Sequence, residues 1–182
     1  FEQTFGVNHL GHFLFTNLLL ERLEESAPSR VVIVASKAHY DAKTVDWQAL
    51  TKPTTTTTGF PEYTVSKLCN VLHARELARR LSDRDSGILV CSVHPGVVAS
   101  DIWRRIPWPF RAVMKWFMIS NEDGALTTLH CATSPHIQQS GLYYDERKAR
   151  KPSALALDDE FAAELWRRSE EWAAVRNANV TA

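Results

Sequence analysis

The chain has 182 residues, 45% hydrophobic and 23% charged, with 21 Lys plus Arg against 21 Asp plus Glu. That length can bury a sizeable core, and the balanced charge gives no case for nucleic acid as a partner. Three scattered cysteines argue against a disulfide framework and point to a reducing compartment, no zinc-ligand spacing occurs, and no apolar run is long enough to cross a bilayer.

An apolar helical pattern over 5–23 carries an amide at Asn8, which needs a partner if buried. The β-branched run 30–35 lacks polar alternation and predicts a strand buried on both faces of a parallel sheet, with Ser36 at its carboxyl end. A long connection follows, with five threonines at 54–58 that read as exposed and mobile. The next helix opens with Thr58 as cap and Pro61 in its first turn, and its apolar positions run to Ser82. Tyr63 and Lys67, four residues apart, lie on one face of it, where an ammonium stabilises a phenolate and lets the pair exchange protons near neutral pH.

A second apolar run, 87–93, predicts a parallel strand that ends in a Pro95-Gly96 turn. Strand and helix patterns therefore alternate, as in an α/β fold, and such sheets bind ligands beyond the carboxyl ends of their strands. Ser36, Tyr63, Lys67 and the Pro95-Gly96 turn are expected to share one crevice. The segment 102–118 is dense in aromatic and basic residues and reads as an interfacial helix in peripheral contact with a membrane, or as a packed surface helix. A helix over 121–131, a strand over 141–144 and a helix from Asp158 or Asp159 to 176 complete the pattern, with 177–182 as a frayed tail.

Four stretches in order, Val7-Asn8-His9-Leu10-Gly11-His12-Phe13, Arg30 to Ser36, Tyr63-x-x-Ser66-Lys67-Leu68-x-Asn70-Val71-Leu72 and Val93-His94-Pro95-Gly96-Val97-Val98, resemble the short-chain dehydrogenase/reductase family, in its retinol dehydrogenase-like branch. The resemblance implies a Rossmann-like, doubly wound parallel sheet and an oxidoreductase that interconverts a hydrophobic alcohol and its aldehyde or ketone with NADP or NAD, NADP being favoured by the resemblance. It implies Tyr63 as proton donor or acceptor, and Ser36 as donor to the substrate oxygen. Lys67 would serve both the phenol and the nicotinamide ribose, and Asn8 would hold a water linked to Lys67. Pro95, Gly96, Val98 and Ser100 would lie against the cofactor, the segment 102–118 would form the lid over the substrate, and the long helices would mediate homo-oligomer formation.

No Gly-x-Gly-x-x-Gly or related glycine-rich turn occurs in the sequence. The whole chain, 1–182, therefore reads as a single domain, the carboxyl-terminal catalytic and substrate-binding portion of such a fold, without the glycine-rich βαβ part or any membrane anchor that part carries. The competing expectation is a catalytically silent scaffold that does not bind cofactor.

Overall fold

A computed structural model of the chain describes residues 1–84, 86–96 and 120–173. Helix α1 (Gln3–Phe5), a π-helical stretch (Gly6–Leu10) and α2 (Gly11–Glu25) follow without a break, where the sequence predicts one helix over 5–23. The rod buries Phe5, Leu10, Phe13 and Leu20 and leaves Val7, Phe15 and Leu18 exposed. Glu2 fixes its start: this buried carboxylate accepts from the Phe5 amide at 2.6 Å and from the Thr54 hydroxyl.

Strand β1 (Ser29–Val34) leads through Ser36 into a 3-10 turn (Lys37–Tyr40), and a connection reaches α3 (Phe60–Ser82). Next come β2 (Ile88–His94), α4 (Asn121–Thr133), β3 (Leu142–Asp145), β4 (Lys148–Arg150) and α5 (Asp159–Trp172). The sheet runs β1-β2-β3-β4; the first three strands are parallel and β4 turns back antiparallel. Helices cover both faces, as the sequence predicts. Ile33, Val90 and Tyr143 pack toward α2, α3 and α5, while Cys91, Val93 and Tyr144 pack toward Cys131 of α4.

Several details depart from or sharpen the sequence reading. β1 is packed on both faces, Val31 and Ile33 on one and Val32 on the other, but as an edge strand of the described sheet it is only partly buried, and Val34 is 41% exposed. β4 went unforeseen because its hairpin turn, Glu146-Arg147, holds φ of 51° and 60° without Gly or Asn. The threonine run is exposed as expected, yet Thr54 bonds to Glu2, and Thr56 bonds through N and Oγ1 to the Glu62 carboxylate. Asp158, not Asp159, caps α5, accepting from the Phe161 amide at 2.9 Å. The segment 102–118, the predicted continuation of the last helix to 176 and the predicted tail at 177–182 lie outside the described residues.

Candidate active site

Helix α3 begins at Gly59, whose φ of 65° suits a residue without Cβ, and Thr58 Oγ1 accepts from the Phe60 amide at 3.3 Å. The predicted Thr58 cap is thus present one residue outside the cap position. Tyr63 and Lys67 follow on one face, half-buried, with Lys67 Nζ 5.7 Å from the centroid of the Tyr63 ring.

Lys67 Nζ donates to the Val34 carbonyl at 3.1 Å, which fixes the ammonium at the carboxyl end of β1. Asn70 Nδ2 donates to the same oxygen at 3.0 Å. Burial pushes the Lys67 ammonium below its ordinary 10.5, because the charged form loses hydration. An ammonium has three donors and Val34 takes one.

Ser36 stands two residues beyond Val34 and opens the 3-10 turn, its Oγ accepting from the Ala38 amide at 3.2 Å. A hydroxyl that accepts locally still has its proton to donate. Beneath the turn His39 is fully buried, bonded through Nδ1 to Ser36 O at 2.6 Å and through Nε2 to the Ser153 amide at 3.2 Å. The turn bearing Ser36 is therefore pinned from below.

Asn8 lies in the π-helical stretch, a distortion of the kind that recurs at functional sites. Its Nδ2 donates to Ser66 Oγ at 3.1 Å, and Ser66 Oγ donates to Tyr63 O at 2.8 Å. The partner is a helix neighbour of the pair rather than a residue on an adjacent strand. Pro95 and Gly96 follow β2 directly, and Ala35 N bonds to Val93 O at 2.8 Å, so the turn lies beside the end of β1. Gly96 has φ 94°. Val98 and Ser100 lie outside the described residues.

The structure thus brings Ser36, Lys67 and the Pro95-Gly96 turn to neighbouring strand ends, with Tyr63 beside Lys67 and Asn8 behind both. Asn70 carries no expected role in the sequence, although a buried amide three residues from Lys67 was the available signal. Lys37 and Asp145 pair at 2.9 Å across the same strand ends, with His94 opposite Asp145 in the register. Burial holds His94 below 6.5, and its Nδ1 has no partner among the described residues.

No protein-family model matches the chain. Retinol dehydrogenase 14 of Mus musculus is 40% identical over 177 residues, 93% of this chain and 52% of that protein. Retinol dehydrogenase 12 of Homo sapiens is 41% identical over 182 residues, 97% of this chain and 55% of that protein. Retinol dehydrogenase 11 of Homo sapiens is 42% identical over 171 residues. The chain spans about half the length of these curated relatives. Among solved structures, an uncharacterized protein from Mycobacterium paratuberculosis superposes with a TM-score of 0.74 at 30% identity, covering 96% of this chain and 60% of that one.

Proposed function

We propose that this chain, which belongs to the short-chain dehydrogenase/reductase family in its retinol dehydrogenase-like branch, carries the catalytic portion of an NAD(P)-dependent oxidoreductase. It would interconvert a hydrophobic alcohol and its aldehyde or ketone, and the relatives' names, which speak of retinol, support an apolar alcohol. The observation that carries the reading is the half-buried Lys67 ammonium, held by Val34 O and facing the Tyr63 ring.

The residues present fit the nicotinamide-ribose end of a dinucleotide. Lys67 retains two donors suited to a ribose diol, and Gly96 at φ 94° removes a Cβ where the chain turns beside the site. The resemblance adds Val98 and Ser100 to the same contact and favours NADP over NAD. The pyrophosphate's usual glycine-rich turn is not in the sequence. When bound, the dinucleotide supplies or takes up the hydride.

In the reduction direction Ser36 Oγ donates to the substrate oxygen, where negative charge develops, and Tyr63 delivers the proton to that oxygen. Lys67 contributes positive charge beside the phenol. Asn8 and Ser66 hold the backbone carbonyl of Tyr63 from behind and so orient the helix turn that presents the phenol. Oxidation of the alcohol runs the same proton steps in reverse.

A second reading is a silent scaffold that does not bind dinucleotide. NADH and NADPH fluorescence titrations separate the two, run on this chain and on a chimera in which it replaces the matching portion of human retinol dehydrogenase 12. Cofactor binding and turnover by the chimera, with turnover abolished and cofactor affinity nearly unchanged in Tyr63→Phe, support the enzyme. Normal turnover by Tyr63→Phe refutes the proton donor, and a chimera that binds neither nucleotide favours the scaffold.

A further inference from the structure

A cleft of about 340 Å³ opens between α3, the β3–β4 hairpin and the 3-10 turn Leu155–Leu157. Its size falls within the range of small-molecule sites, at the lower end. Its cationic end is set apart from the catalytic groups: Arg75 lies twelve residues beyond Tyr63 on α3, about 18 Å along the helix axis, although Val71 in the lining is one turn from Lys67. Gly141, also in its lining, precedes β3 at the end of the sheet opposite Ser36.

The lining holds three cations, Arg75, Arg150 and Lys151, and no carboxylate, in a chain whose formal charges sum to zero. Apolar walls come from Val71, Pro152 and Leu157. Tyr143 also lines the cleft; it is 2% exposed, and its hydroxyl has no hydrogen-bond partner among the described residues. A buried hydroxyl without a partner is costly, and a ligand oxygen would satisfy it.

The charge balance selects the ligand class. Arg75 Nε is engaged by Asp159 at 2.9 Å, and Arg150 lies 3.8 Å from Glu146; both carboxylates are mostly exposed. Lys151 has no carboxylate within ion-pair distance among the described residues. Three cations against two outlying carboxylates leave one positive charge uncompensated beside an apolar wall. We propose that this cleft is a second ligand site, for a small amphipathic carboxylate whose head sits among Arg75, Arg150 and Lys151 and whose body lies on Val71, Pro152 and Leu157. Arg75 keeps its two terminal nitrogens free of Asp159, in the fork geometry that suits a carboxylate. The site does not depend on the catalytic reading.

Calorimetric titration of the chain with decanoate, decanol and inorganic phosphate tests it. Decanoate binds one to one, the other two at least about tenfold more weakly, since neither presents both a charge and an apolar body. The double variant Arg150→Gln, Lys151→Gln weakens decanoate about tenfold. Both side chains are at the surface of the β3–β4 hairpin, so the fold is retained, and circular dichroism checks it. Lys67→Ala leaves decanoate binding unchanged, which separates this cleft from the catalytic crevice. Decanoate binding that survives the double variant, that disappears in Lys67→Ala, or that decanol matches overturns the proposal, as does no binding.

Discussion

Lys67→Met distinguishes a lysine kept for chemistry from one kept for structure. The substitution removes a charge-assisted hydrogen bond to Val34 O at 3.1 Å, a loss of about 1.5–3 kcal/mol. Two effects oppose that loss. Val34 O keeps Asn70 Nδ2 at 3.0 Å, so no acceptor is left unpaired. Burial already disfavours the ammonium, and replacing it by a thioether of similar length recovers about 1–3 kcal/mol in desolvation and apolar contact. The net change is within about 1 kcal/mol either way, or roughly 2–4 °C in Tm for a chain of this size. Turnover by the chimera falls by about a hundredfold or more, the range for a lost acid-base partner. The wild-type lysine also leaves a signature in pH. Its folded value lies below the unfolded one, so the unfolded chain binds the proton more tightly, and stability rises with pH through the window ending at 10.5. Lys67→Met lacks that rise. Thermal unfolding, urea titrations at alkaline pH and turnover measure all three. A Tm drop of about 8 °C or more with turnover retained would make Lys67 a structural strut and refute the reasoning.

Glu76 is 1% exposed and accepts from Arg79 at 2.8 and 2.7 Å and from Arg80 at 2.7 Å. Burial raises its carboxyl, the arginine bonds outweigh that and hold it below 4.5, and stability present above that range is lost as pH falls through the lowered value. Glu76→Gln costs about 2 kcal/mol at neutral pH, discounted for partly exposed partners, and flattens that acid loss in urea titrations. His73 is 2% exposed with neither ring nitrogen hydrogen-bonded among the described residues, so His73→Leu stabilises by about 1 kcal/mol, read by urea midpoint. Burial lowers His9 to about 3 and His73 well below 6.5; wild-type stability therefore declines as pH falls from 6.5 toward 3, more gently in His73→Leu. Asn8→Ala removes the 3.1 Å bond to Ser66, costs about 1 kcal/mol in thermal unfolding and lowers turnover by the chimera.

Helix α3 was legible because its apolar positions repeat at helical spacing between a Thr-Gly-Phe-Pro start and a Ser-Asp stop. β2 was legible for the same kind of reason, as an apolar run ending in Pro-Gly. β1 was over-read: a β-branched run looks the same whether its strand is central or at an edge, and its exposure depends on neighbours the local pattern does not encode. The π-helical turns at Gly6–Leu10 share the α-helix's apolar face and leave no separate periodic signal. Lys148–Arg150 has neither alternation nor a glycine turn, so its strand character comes only from pairing with β3. Cysteine counting was similarly blind to Cys91 and Cys131, forty residues apart, which are free, buried and packed in one cluster between β2 and α4.

Within the site, the residues read from spacing are held by residues that spacing does not mark. Tyr63 and Lys67 announce themselves by an interval of four, but the interval says only that they share a face. What aims Lys67 is the Val34 carbonyl, at the last residue of β1, which accepts from both Lys67 and Asn70. A strand end and the helix bearing Tyr63 and Lys67 are thereby joined by side chains from one helix to one main-chain oxygen. Ser36 follows two residues later on a turn pinned by His39, and Asn8 reaches the helix from the opposite side through Ser66. Lys67 and the Ser36 turn are thus anchored to main-chain groups, and in the proposed reaction that would spare the ordering of those groups. Replacing Asn70, which touches Val34 O but not Tyr63 in the hydrogen-bond pattern, therefore loosens the frame without removing any proton-transfer group.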